Sequence, residues 1–126
     1  MSDARSPGRH DDAPWFARMI AALEERARAE RTITYAELAE TAGMPGPHRI
    51  HRVTEALEDL ITSDHDAGRP LRSAAAISKA RNGLPGPGFF QHCAGIGLYF
   101  GPDDGPQAET FHRLELNRLF VSYRQS

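Results

Sequence analysis

The sequence predicts a helix-dominated α+β protein: a winged-helix-like helix-turn-helix with additional N- and C-terminal helices. Three observations carry this reading. Two segments of helical apolar spacing, 35–42 and 47–62, are joined by a glycine–proline turn. Longer amphipathic stretches flank the pair on both sides. The extended pieces, 31–35 and 69–78, are short.

Residues 1–12 are polar, lack the apolar run of a leader, and are expected to form a flexible N-terminal tail before one domain over 13–126. Over 13–30, Trp15, Phe16, Met19, Ile20, Leu23 and Ala27 recur at helical spacing. Asp12 is placed to cap that helix, and Pro14 suits its first turn, where a missing N–H costs nothing. The β-branched run Thr32-Ile33-Thr34 favours a very short strand. Thr34-Tyr35-Ala36-Glu37 has the form of a capping box, so a helix is expected over 35–42. Its inner stripe is Tyr35, Leu38, Ala39 and Ala42, and Gly43 is suited to the left-handed turn that ends it.

After Met44-Pro45-Gly46-Pro47, the segment 47–62 places Ile50, Val53, Leu57, Leu60 and Ile61 on one side. Residues 63–68 read as a polar break and 69–78 as an extended segment. Residues 79–88 form a turn-rich loop, and 88–94 a short helix or a buried extended piece anchored by Phe89 and Phe90. Residues 101–106 read as an acidic turn. A last amphipathic helix over 107–123 has Phe111, Leu114, Leu119, Phe120 and Tyr123 as core candidates.

Bulk properties narrow the function classes. The 126 residues suit one domain, and the formal net charge of −2 gives no support to indiscriminate binding of polyanions. A single cysteine, Cys93, excludes an internal disulfide framework, and a reducing cytoplasm is the expected compartment. No apolar run reaches the roughly 18 residues of a membrane span, so no membrane partner is expected.

The helix pair is the most informative feature. Ala39 and Gly43 keep the four-residue spacing that lets two helices of a helix-turn-helix cross closely, and Ile50 and Val53 follow one residue later than the commonest spacing. In such a motif the second helix presents its early residues to the DNA major groove, which selects His48, Arg49, His51, Arg52 and Thr54. Arg49 and Arg52 suit bidentate contacts with guanine or anchoring of a phosphate. From Arg69 through Phe100 there is no Asp or Glu, so Arg69, Arg72, Lys79 and Arg81 give that stretch a local charge of +4. This is where a wing would lie, and Arg72, Lys79 and Arg81 are its expected phosphate contacts.

On these residues, Thr34–Ala39 with its T-Y-x-E-L-A pattern, the glycine–proline turn, the following helix and the basic segment, residues 32–90 resemble the C-terminal winged-helix domain of DNA alkyltransferases and alkyltransferase-like proteins. Those repair enzymes carry a reactive cysteine in a Pro-Cys-His-Arg motif. Here the nearest analogue is Pro70-Leu71-Arg72-Ser73, without a thiol, so the resemblance implies fold and DNA affinity but not methyl transfer. The arrangement K-x-x-x-G-x-P-G-x-G-F-F from Lys79 to Phe90 is similar to that of small bacterial proteins of unassigned activity.

No catalytic constellation emerges. His48 and His51 share a helix face but have no acidic or cysteine partner at ligand spacing, so neither metal nor cofactor is expected. Cys93 reads as a buried, inert thiol. The expectation is a DNA-binding protein, regulatory or repair-related, with double-stranded DNA as partner. The alternative is a non-catalytic protein-interaction module on the same fold, with Trp15, or Phe120 and Tyr123, on a homodimer or partner surface.

Overall fold

The computed structural model describes residues 10–124. The tail expected over 1–12 falls outside these residues up to position 9. His10–Asp12 instead form a turn of 3-10 helix whose His10 ring lies 4.9 Å from that of Phe16.

Helix α1 spans Pro14–Ala29 and buries Trp15, Met19, Ala22, Leu23 and Ala27 along one stripe. Its N-cap is Ala13, which makes no side-chain capping bond, so the cap expected from Asp12 is corrected. Strand β1 is only Ile33–Thr34, and α2 follows as Tyr35–Ala42. The capping box forms as expected. Thr34 Oγ1 accepts from the Glu37 N–H at 3.1 Å, and Glu37 Oε1 accepts from the Thr34 N–H at 3.0 Å.

Gly43 ends α2 at φ +70°, a conformation cheap only without a side chain. A Cβ there would also lie 3.2 Å from Arg18 Nη2. Arg18 sits at this helix end because its Nε donates to the Ala42 carbonyl at 2.6 Å, satisfying an oxygen the helix leaves open.

Helix α3 spans Arg49–Asp66, later in starting and finishing than the expected 47–62. Its late start follows from His48, which is left-handed at φ 60°. Its late finish follows from Asp64. In sequence, Ser63-Asp64-His65-Asp66 looks like a break, but Asp64 is 0% exposed and sits on the core face with its charge matched. Ile50 departs from its expected core position: it is 44% exposed, because the first turn of α3 extends beyond the packed helices.

The segment expected to be extended is mostly something else. Arg72–Ala75 is a 3-10 turn, and strand β2 is only Ala76–Ile77. Ala74, Ala75 and Ala76 are fully buried. The turn packs against α1, α3 and α5, and only small side chains fit a backbone held among three helices. Strand β2 pairs with β1 in parallel, Ile33 opposite Ala76 and Thr34 opposite Ile77. Among the described residues the sheet has these two strands and no hairpin.

A third 3-10 turn, Lys79–Arg81, leads to helix α4, Pro87–Gly95. Helix α5 spans Pro106–Arg124 and buries Ala108, His112, Glu115 and Leu119. Leu114, expected in the core, is 54% exposed.

Two apolar clusters result. One joins α1, α2 and α3 with Leu119. The other gathers Ile61, Leu71, Leu84, Phe89, Phe90, Cys93 and Tyr99. Phe89 and Phe90 meet edge to face at 5.2 Å, and Tyr99 stacks on Phe111 at 4.6 Å. Each fully buried large apolar side chain of this kind contributes about 1.5–3 kcal/mol.

Candidate nucleic-acid interface and an adjoining pocket

The early residues of α3 were selected by the sequence as a contact surface. His48, Arg49 and His51 are all exposed. Between Thr41 and Thr54 there is no Asp or Glu, and the first turn of α3 contains no acid. The N-cap residue His48 makes no side-chain bond to the open N–H groups of that turn, where the helix dipole is positive. His51 Nε2 lies 3.4 Å from Glu55 Oε2, an exposed pair one turn along. The opposite side of the helix is sunk in the core through Val53, Ala56 and Leu57.

Arg52 has a structural task. Its Nη1 donates to the Pro45 carbonyl at 2.6 Å, and its guanidinium lies 5.8 Å from the Trp15 ring centroid. It therefore pins the Pro-Gly-Pro turn to α1, and Arg49 is the arginine of this turn that stays clear of such ties.

The basic stretch after α3 divides in two. Arg72, expected to meet phosphates, is 8% exposed. Its Nη2 donates to Asp64 Oδ1 and its Nη1 to Glu24 Oε2, both at 2.8 Å. The expectation is corrected: this guanidinium joins α1 and α3 and is not on the surface. Lys79 and Arg81 are on the third 3-10 turn. Lys79 is exposed. Arg81 is partly covered, its Nε donating to the Pro85 carbonyl at 2.9 Å and its Nη2 to the Asp103 carbonyl.

Arg81 also lines a pocket that sequence reasoning missed. About 300 Å³ in volume, it opens between α2, α3, the Lys79–Arg81 turn and the start of α4. Its apolar walls are Ile50, Leu57, Ile61, Pro87 and Phe89, with Tyr35 at one side. The Tyr35 hydroxyl accepts the Gly86 N–H at 2.7 Å, and burial above all pushes this phenol up, so it is protonated at neutral pH. Ser73 Oγ donates to the Leu57 carbonyl and Thr54 Oγ1 to the His51 carbonyl.

Glu58 is the remaining charged group on the wall. Half-buried, it has no hydrogen bond or ion pair with any described residue. Burial holds its carboxyl above the usual range; His92 and His51 pull it down, and the carboxylates of Asp59 and Glu55 add to the rise. Gly88 gives it room, since a Cβ there would lie 2.6 Å from Glu58 Oε2. One signal for this site was present in the sequence. Ile50, Thr54 and Glu58 recur every four residues, so they share a ridge of α3.

Cys93 is fully buried and its thiol is pushed up to about 12, first by burial and then by the charge of Glu115. No group of three or more His, Cys, Asp or Glu among the described residues is placed to hold a metal ion. No helix among them is long and apolar enough to cross a membrane. No protein-family model, curated protein or solved structure matches the chain.

Proposed function

We propose that the protein binds double-stranded DNA through a winged-helix-like arrangement in which α3 is the recognition helix, serving a regulatory or repair-related role. One observation carries the reading: the first turns of α3 project His48, Arg49 and His51 into solvent from an acid-free segment, while the rear of the same helix is anchored in the core. An exposed helix start bearing an arginine and two hydrogen-bonding imidazoles suits phosphates and base edges at once. Lys79, on the 3-10 turn, adds a phosphate contact beside it, taking the place a wing would fill. Modest affinity is expected, because the chain is slightly acidic overall.

Fluorescence anisotropy with mixed-sequence duplex DNA tests this across a salt series. Binding that weakens linearly in log–log form as salt rises supports the reading. Absence of binding at low salt removes it.

A second reading, a protein-interaction module that forms a homodimer or meets another protein, draws on exposed apolar side chains. Phe100 is 76% exposed, and Leu114 and Val121 stand seven residues apart on α5. Trp15 does not serve that surface, because it is buried, and Phe120 and Tyr123 are packed against the core. Analytical ultracentrifugation decides it: a dimer that Leu114→Glu dissociates supports this surface, and a monomer at all concentrations removes the homodimer.

A further inference from the structure

We infer that the pocket between α3 and the start of α4 is a binding site for a small planar organic cation, an aromatic amidine or amino-substituted nitrogen heterocycle, whose N–H edge pairs with Glu58. This site adjoins the proposed DNA-facing residues and shares Ile50, Thr54 and Arg81 with the segments that carry them, but its carboxylate, Glu58, is not one of them, so the inference stands whether or not α3 meets DNA.

The volume of about 300 Å³ is at the lower end of the range for small-molecule sites. The walls choose a flat apolar body. Phe89 and Tyr35 supply ring surfaces, and Ile50, Leu57 and Ile61 supply aliphatic ones. The polar groups choose its charge. Arg81, the cation on the wall, keeps its charge but commits its Nε and Nη2 to the carbonyls of Pro85 and Asp103 and forms no ion pair with Glu58. Ser73 and Thr54 donate to backbone carbonyls, and the Tyr35 oxygen already accepts from Gly86.

That leaves one carboxylate, Glu58, partly withdrawn from water and without a partner among the described residues. A carboxylate in this position costs free energy until a cation or a paired set of N–H donors meets it. An amidine edge offers two parallel N–H groups in the geometry a carboxylate accepts, and such charge-assisted pairs are the strong ones. The remaining phenol proton of Tyr35 gives a heterocyclic ring nitrogen something to accept. Gly88 leaves room for this carboxylate position, because a side chain there would push the Glu58 carboxylate aside.

Benzamidine is the probe, with benzamide as its uncharged analogue of the same shape. Titration followed by amide and methyl NMR shifts gives both affinity and location. Benzamidine is expected to shift Ile50, Thr54 and Phe89 and to bind at least about tenfold more tightly than benzamide, the difference a charge-assisted pair supplies. Glu58→Gln is expected to erase that preference while leaving benzamide binding unchanged. Gly88→Ala, which pushes on the carboxylate and suits a helix, is the second variant and is expected to weaken benzamidine binding. Equal affinity for the two probes overturns the inference. So does a preference that survives both substitutions, or shifts confined to residues away from the pocket.

Discussion

Arg72 holds Asp64 by three groups at once: its backbone N–H reaches Oδ2 at 2.9 Å, its Nη2 reaches Oδ1 at 2.8 Å, and its Nε lies 3.2 Å from both oxygens. Asp64 is 0% exposed, and Arg69 Nε adds a further donor at 3.1 Å. Through Nη1 the same guanidinium reaches Glu24 on α1, whose Oε2 also accepts from the Tyr123 hydroxyl at 3.1 Å. One side chain thus ties α1, α3 and the Arg72–Ala75 turn, and α5 joins through Tyr123.

Breaking a buried pair by removing one member costs up to about 3–5 kcal/mol, and without the Arg72 guanidinium Asp64 keeps only Arg69 Nε and a backbone N–H. Arg72→Met is therefore expected to lower the urea midpoint sharply. Pairing it with Asp64→Leu, which removes the buried carboxylate that has lost its main partner, is expected to recover most of the loss. Equal stability of the single variant and the parent would show that the network adds nothing.

Acid sensitivity is expected from His112. Its Nε2–H donates to the Ala74 carbonyl at 2.8 Å, and burial lowers its pKa, with that hydrogen bond opposing. A histidine with a depressed folded pKa binds protons more readily when unfolded. Its share of stability is full above the ordinary value near 6.5 and declines as pH falls from there toward the folded value. Denaturation at pH 7.5, 6.5 and 5.5 is expected to show this decline. His112→Gln, which retains a donor but does not titrate, is expected to flatten it.

The thiol of Cys93 is expected to be unreactive in the folded protein. Both its burial and its pKa near 12 keep the thiolate population negligible at neutral pH. Iodoacetamide labelling followed by mass spectrometry checks this: little modification in buffer, complete modification in denaturant. Rapid labelling of the native protein would mean that α4 opens readily.

For DNA, Arg49→Ala and Lys79→Ala are each expected to weaken binding and reduce the log–log salt slope by about one phosphate contact. Arg52→Ala is expected instead to lower stability, through loss of its bonds to the Pro45 turn and Trp15. A parallel set of melting curves separates the two effects.

Features whose partners are close in sequence were legible before any coordinates. The capping box from Thr34 to Glu37 and the left-handed Gly43 need only local geometry, and both form as the residues imply. That Phe89 and Phe90 anchor their segment in the core was legible too, although the residues alone are compatible with both a helix and an extended piece there. What failed was set by distant partners. Asp64 reads as part of a loop until Arg72 neutralises it, so α3 was expected to stop early. Ala74, Ala75 and Ala76 read as a poor strand until three helices close on them. Arg72 reads as a phosphate contact until two carboxylates from other elements are brought to it. The pocket was invisible for the same reason. In sequence Glu58 is one more charge beside Glu55 and Asp59, and only the arrival of Gly86 and Gly88 from the start of α4 encloses it.

The most direct test of the proposed DNA reading is an NMR titration of the labelled protein with a mixed-sequence duplex at low salt. The account predicts amide shifts concentrated at residues 48–54 of α3 and 79–81 of the 3-10 turn, reversed by added salt. Shifts clustered on α5, around Leu114 and Val121, or none at all, would contradict it.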